Sequence, residues 1–343
     1  MEEQKMMALT AGQRFLNENT PATIEAQLSE YVIGQQELVR AVADFVYYHV
    51  MRRMHPELPV RNLLVAGGSG TGKTEVFRWV SKLYGDVVQV KVVDGSRLTK
   101  DGWSGNYKMT DLLSEDLDIL VLDEADKLCK PSYSAAGSNV SEEMQSEMLK
   151  LLEGEYEVVD RRFKTKYTID NLSIAMVGAF ESIRQEKREQ LNKRTIGFST
   201  GIVVGRDDAS RDPVGNPERI SDEDLIDFGM MPEIVGRIAM KVNTNDLTEE
   251  DYLAIIHSPH GRVATLLQVL EGYGIASAEV VSDEVIKEMI ATSQTNHTGF
   301  RWVSAQVESK ILEVIRNQGV KEEIRNCDFC VKSDGGEEVF EFF

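Results

Sequence analysis

The stretch from Arg61 to Thr74, RNLLVAGGSGTGKT, constrains this chain more than any other. Leu63, Leu64, Val65 and Ala66 form a short apolar run that reads as a buried parallel strand. It breaks into Gly67-Gly68-Ser69-Gly70-Thr71-Gly72-Lys73-Thr74, and a helical pattern follows through Val76, Phe77, Trp79 and Val80. This is G-x-x-x-x-G-K-[ST] with a strand before it and a helix after it, the context in which the motif carries meaning. Glycines let successive backbone N–H groups turn inward around a phosphate chain, where a Cβ would collide. The new helix points its partially positive end at the same phosphates. Gly68, Ser69, Gly70, Thr71 and Gly72 would line this cradle, with Lys73 neutralising β/γ-phosphate charge and the Thr74 hydroxyl ligating Mg²⁺. A plain strand–helix turn requires neither the Lys nor the Thr. The motif therefore implies a site for a nucleoside triphosphate.

A second stretch, Asp118 to Lys127 (DILVLDEADK), completes the chemistry. Ile119 to Leu122 reads as a buried strand with Asp123 and Glu124 at its carboxyl end. In doubly wound sheets ligands sit beyond that end, so both acids should face the phosphate loop. Asp123 can then hold the Mg²⁺ that Thr74 also touches. Glu124 can polarise the water that attacks the γ-phosphate. The pair implies hydrolysis of the nucleotide rather than its storage.

Length and composition bound the rest. At 343 residues, with 42% hydrophobic and 28% charged side chains, the chain can build two domains with their own cores. A net charge of −19 disfavours a broad nucleic-acid footprint, which needs clustered Lys and Arg. No apolar run reaches membrane-spanning length, and the acidic start MEEQKMMALT lacks a signal core, so a cytoplasmic location is expected. Three cysteines give no disulfide framework, and Cys327 and Cys330 form a lone CxxC that reads as ordinary thiols.

Along the chain, Thr20 or Thr23 can cap a helix containing Ile24 and Leu28. Val32 and Ile33, in YVIGQ, could wall an adenine ring or simply pack in a core; periodicity does not decide. Trp103 sits between glycines in a polar loop, and spacing alone leaves open whether it plugs a core. Ser141 is expected to cap a helix bearing Met144, Met148, Leu151 and Leu152 and ended by Gly154. Arg161 and Arg162 head the one dense basic run, at an expected hairpin tip. Residues Ser199 to Asp222 read as a mobile insertion, preceded by Ile196-Gly197-Phe198. From Leu247 onward the patterns are mostly helical.

Taken together, these residues resemble the AAA+ ATPases, and within them the ClpX-type protein unfoldases, from about Pro21 to Val307. Besides the two nucleotide motifs, the resemblance rests on VIGQ, EEMQSEMLKLLEGE, VGAF, DLIDFGMMPEIVGRI and Thr298-Gly299-Phe300-Arg301. It implies an α/β fold: a P-loop large domain over 21–244, its parallel β-sheet flanked by helices, after a lead-in over 1–20. A smaller, mostly helical lid domain over 245–343 would follow. It implies ATP and Mg²⁺ as cofactors and a homo-hexameric ring. Arg237 would be the arginine finger that reaches a neighbouring subunit's nucleotide, and Arg301 a second sensor. Trp103 would grip protein substrates in the pore, with Arg161 and Arg162 at its mouth. Ile196, Gly197 and Phe198 match the tripeptide that docks a ClpP-type peptidase. The chain departs from the family in having no four-cysteine zinc module and no polar residue at the first-sensor strand. Other classes compatible with a phosphate loop are a peptidase-independent remodelling chaperone, a nucleic-acid motor and a small-molecule kinase.

Overall fold

The apolar strand runs predict a parallel sheet, and the computed structural model of the chain contains one. The structure describes residues 2–99, 107–108, 112–114, 116–130, 132, 137, 139–153, 156–160, 165–169, 171–196, 219–272, 282–296, 298–317, 329–334 and 337–342. Two units are present. One comprises Met1–Leu28, Glu37–Gly68 and Lys73–Thr244; the other comprises Ser29–Gln36, Ser69–Gly72 and Asn245–Phe343.

In the first unit, α1 (Glu2–Glu18), α2 (Pro21–Ser29) and α3 (Gln36–Met54) precede β1 (Leu63–Ala66) and α4 (Glu75–Tyr84). Next come β2 (Val90–Asp94), the short pair β3 (Leu98–Thr99) and β4 (Tyr107–Lys108), and then β5 (Ile119–Asp123). They are followed by α5 (Asp126–Cys129), α6 (Val140–Leu152), and an antiparallel hairpin of β6 (Tyr156–Asp160) and β7 (Thr165–Ile169). β8 (Ser173–Gly178), α7 (Glu181–Ile196), α8 (Asp222–Asp227), α9 (Pro232–Arg237) and β9 (Met240–Asn243) complete the unit. The sheet order is β2-β5-β8-β1-β9, with every neighbouring pair parallel. β1 and β8 are buried at every residue, as expected of strands covered on both faces. Leu64, Leu120, Leu122, Ile174 and Met176 from the sheet pack with Met144 and Met148 of α6 in one core.

Local chemistry sets the helix ends. The backbone N–H of Thr20 donates to Thr23 Oγ1 (2.8 Å) and that of Thr23 to Thr20 Oγ1 (3.3 Å), so the two threonines share the cap of α2. Ser141 is not the cap of α6. Asn139 takes that place, its side chain accepting from the Glu142 N–H, while the Ser141 hydroxyl donates to the Lys130 carbonyl from inside the first turn. An extended Asn two residues upstream wins because its side-chain carbonyl reaches the Glu142 N–H in the first turn. The helix ends at Leu152; Gly154 lies outside the described residues. Residues 199–218 of the expected insertion lie outside the described residues, and its last four, 219–222, are described. Ile220 is buried, and Ser221 caps α8 through a reciprocal box with Asp224.

Beneath the sheet a buried polar network joins α3 to β5 and β8. His49 Nδ1 lies 2.9 Å from Ser173 Oγ, and its Nε2 lies 3.3 Å from Asp118 Oδ1. Arg53 donates to the same carboxylate at 2.6 Å. The Ser–His–Asp order resembles a nucleophilic triad, but Ser173 is only 2% exposed and no substrate can reach it. The network is a structural tie.

The second unit is built by α10 (Glu249–Ile256), α11 (Arg262–Gly272), α12 (Asp283–Thr295) and α13 (Gly299–Asn317), with a hairpin of β10 (Phe329–Asp334) and β11 (Glu337–Phe342). Tyr252, Ile256, Val285, Ile286, Val303, Val307 and Ile311 form its core. Cys330 lies in β10 opposite Glu341; Cys327 lies outside the described residues. Among the described residues no helix is long and apolar enough to cross a membrane.

Candidate active site

β1 delivers the chain into the phosphate loop, and steric limits fix the path. At Gly67 a Cβ would lie 1.8 Å from Thr244 Oγ1. Gly70 and Gly72 have φ of +79° and +85°, the left-handed region that side chains resist. Lys73 is buried, and its ammonium group donates to the carbonyls of Gly67 (2.7 Å) and Gly68 (2.5 Å). The cation is thus folded back over its own loop. A buried ammonium that donates to neutral carbonyls is electrostatically suited to an arriving anion.

Thr74 stands at the N-terminus of α4 without capping it. Its hydroxyl instead donates to Asp123 Oδ2 at 2.8 Å, across 49 residues of sequence. The first amides of α4 therefore receive no cap from Thr74, which leaves them to an anion. The other oxygen of Asp123 accepts from the Glu124 N–H at 3.0 Å, so the carboxylate is fixed from both sides. Hydroxyl and carboxylate together offer the small protein ligand set that Mg²⁺ takes when phosphates and water complete its shell. Among the described residues no cluster of three His, Cys, Asp or Glu could hold a metal by itself. The residues present fit a metal–nucleotide pair, not a free-standing metal centre.

Glu124 is exposed, and none of the described residues hydrogen-bonds or pairs with its carboxylate. Its φ is +55°, one of two positive values among described non-glycine residues; the other is Phe180, at +48°. Phe180 is fully buried just after β8 and packs on Phe228, with ring centroids 5.4 Å apart. Nearby, the buried Asp126 accepts from the Ala179 N–H at 3.3 Å, joining the end of β8 to α5. The sequence signal for Asp126 is the third acid of Asp123-Glu124-Ala125-Asp126, two residues beyond Glu124.

Within the second unit, Ser69 to Gly72 meet a different set. A Cβ on Gly70 would touch the backbone of Phe300 (3.4 Å) and Arg301 (3.7 Å), and one on Gly72 would touch Val32 Cγ1 (3.5 Å). A Cβ on Gly299, the first residue of α13, would lie 3.2 Å from the Ser69 carbonyl. Val32 is buried, Ile33 is half-buried, and the Arg301 side chain is exposed. The motif around Val32 has a local cause. Gly34 (φ +76°) leaves no room for a Cβ against the Asp251 carboxyl group, and the buried Gln35 amide clamps the Asn245 backbone at 2.8 and 3.0 Å. Tyr31 packs on His260, with ring centroids 4.5 Å apart.

Other sequence candidates lie elsewhere. Arg237 closes α9, with contacts to the Glu233 carbonyl (3.1 Å) and Glu153 (2.8 Å) but none described to Lys73, Thr74 or Asp123. Ile196 is the last residue of α7. Trp103, Arg161, Arg162, Gly197 and Phe198 lie outside the described residues, the first between β3 and β4 and the arginines between β6 and β7.

Comparison with known proteins agrees with this geometry. Residues 63–188 match the family described as ATPase family associated with various cellular activities (AAA). The protein named ATP-dependent Clp protease ATP-binding subunit ClpX in Treponema denticola is 27% identical over 324 residues, covering 86% of this chain and 76% of that one. Its namesake in Bacteroides fragilis is 27% identical over 325 residues, with the same coverage of both chains. That of Azotobacter vinelandii is 25% identical over 352 residues, covering 92% of this chain and 79% of that one. The matched segment runs from β1 through Lys73, Thr74, Asp123 and Glu124 to α7, so it spans these candidate residues and four of the five sheet strands. Over residues 63–188 the chain is similar to the AAA ATPases, and over most of its length it is similar to ClpX.

Proposed function

We propose that this ATPase is a ClpX-like protein unfoldase and translocase, working as a cytoplasmic homo-hexamer and passing substrates to a ClpP-type peptidase. The observation that carries the reading is the Thr74–Asp123 pair at 2.8 Å beside the buried Lys73, with Glu124 exposed next to it. ATP with Mg²⁺ supplies the phosphoanhydride bond and the charge neutralisation; the chain's own residues supply everything else. Lys73 and the loop from Gly68 to Gly72 bind phosphate oxygens. Thr74 and Asp123 hold the cation. Glu124 orients the attacking water and takes its proton, a role for which an exposed carboxylate with no described partner is suited. Val32 and Ile33 wall the adenine, a placement supported by Val32 lying against the Gly72 position. Arg301, beside Gly70 in the second unit, reads the phosphate state.

Arg237 acts in trans. Its contacts lie on its own surface rather than on its own phosphate loop, as a finger serving the next subunit requires. Trp103 grips the polypeptide, Arg161 and Arg162 line the entry, and Ile196, Gly197 and Phe198 dock the peptidase. These assignments rest on the ordered set of motifs and on the likeness to ClpX.

The test is ATP-dependent loss of a tagged fluorescent protein with and without a ClpP-type peptidase. Unfolding should need ATP, and degradation should need both partners. Glu124→Gln should retain nucleotide and lose turnover by about 10²–10⁴-fold. If Phe198→Ala leaves degradation at the wild-type rate, the docking assignment fails and a peptidase-independent remodeller takes its place.

A further inference from the structure

Arg237 does not hang free at the end of its helix. The buried Asn62 side chain, just ahead of β1, donates through Nδ2 to two carbonyls, that of Leu152 at 2.9 Å and that of Arg237 at 3.2 Å. Its Oδ1 accepts from the Ile174 N–H in β8 at 3.0 Å. One amide, 1% exposed, thereby ties the ends of α6 and α9 to the central sheet. The next residue after Leu152 is Glu153, and its carboxylate accepts from Arg237 Nη2 at 2.8 Å while Nη1 donates to the Glu233 carbonyl. The backbones under both charges are thus pinned together, and the charges then meet across the surface.

This pair has little to offer stability. Its side chains are 37% and 55% exposed, and ion pairs that open to water contribute little. It does, however, fix direction. Two of the five guanidinium donors are held by the contacts named, which leaves the other donors of a side chain 37% exposed to face an incoming anion. A long side chain fixed before encounter loses less entropy on contact, and charge stabilisation is worth most when it needs no rearrangement.

We infer that Glu153, carried on the backbone tie made by Asn62, is a positioning residue for Arg237 and sets the guanidinium in place for phosphate on a neighbouring subunit. The inference rests on the finger reading of Arg237. It assigns Glu153 no contact with nucleotide: the carboxylate acts through the arginine alone.

Mixed assemblies of the full chain test it. An Arg237→Ala subunit keeps its nucleotide site but lacks the finger, whereas a Glu124→Gln subunit keeps the finger but cannot hydrolyse. Mixing the two should restore turnover. Adding Glu153→Gln to the finger donor should lower the restored kcat about 3- to 10-fold with the KM for ATP unchanged. Adding it to the Arg237→Ala subunit should change nothing. An equal loss with either subunit carrying Glu153→Gln would mean a merely structural role and overturn the proposal, as would an unchanged or raised kcat with the altered donor. Failure of the two parent subunits to restore turnover would instead retire the finger reading itself. Glu153 is chosen over Asn62 because an exposed carboxylate can be neutralised without opening the core.

Discussion

At the scale of single residues, the site is held in place at a conformational cost. Glu124 sits at φ +55°, where an L-residue other than glycine meets its own carbonyl, at about 1–2 kcal/mol. The turn is imposed by its neighbours: its N–H is bound to Asp123, and the following Ala125 N–H donates to the Val177 carbonyl at 2.8 Å. Relieving the strain should therefore stabilise the protein while removing the proposed base. Glycine gives back about 0.4–1 kcal/mol through the unfolded chain, so Glu124→Gly should be neutral to about 1 kcal/mol more stable. Glu124→Val, β-branched in the same conformation, should be clearly less stable. Thermal melts of the three proteins check this; a Glu124→Gly midpoint several degrees below wild type refutes it. The place of this acid was legible in the sequence, because two adjacent carboxylates close an apolar strand, and β5 does end at Asp123 with Glu124 next. Its backbone strain was not, since φ is settled by contacts from β8, more than fifty residues away in the chain.

At the scale of elements, strands and helices followed their apolar periods, while the links between them did not. An asparagine before a strand carries no pattern, yet the buried Asn62 side chain makes three bonds to residues 90, 112 and 175 positions distant. Asn62→Ala leaves two carbonyls and one N–H without their partner. At about 1 kcal/mol net for each bond, the loss should be roughly 2–4 kcal/mol in chemical denaturation. A change under 0.5 kcal/mol would mean that water replaces the amide at no cost. The tie between α3 and the sheet gives a pH signature instead. Burial lowers the His49 pKa below its ordinary 6.5, with Arg53 and Arg52 acting in the same direction and Asp118 opposing. Burial pushes Asp118 upward, but His49, Arg53 and the Gln89 N–H outweigh it and hold the carboxyl below 3.8. A histidine neutral in the fold and protonated in the unfolded chain costs no stability above about pH 6.5. Below that the unfolded state binds the extra proton, and stability falls by up to about 1.4 kcal/mol per pH unit until the folded pKa is reached. Asp118 adds a second loss, at pH below 3.8, where its depressed pKa no longer helps. Urea unfolding at pH 7.5 and 5.5 should show a smaller acid loss for His49→Gln than for wild type; equal losses would mean that His49 titrates normally.

At the scale of the whole molecule, the sequence supplied the layers and the chemistry but not the long-range company of its segments. The clustering of residues 29–36 and 69–72 with 245–343 depends on contacts such as Gln35 with Asn245, which no local period encodes. Charge, by contrast, was legible at once and has a consequence for assembly. Each copy carries a formal −19, so copies that gather into the proposed ring repel one another as wholes. That repulsion reaches about 30 Å at 10 mM salt and about 8 Å at 150 mM. Local attractions at an interface, such as an arginine on a phosphate, act over a few ångströms and are screened much less when partly buried. Raising salt from 10 to 150 mM should therefore remove more repulsion than attraction and strengthen association. In sedimentation velocity with a non-hydrolysable ATP analogue, the concentration for half-assembly should fall several-fold over that range. A rise instead would mean that complementary charge across the interface outweighs the net charge. The same acidity predicts that duplex DNA is not retained even at 50 mM salt, where a basic phosphate-binding surface would hold it most tightly.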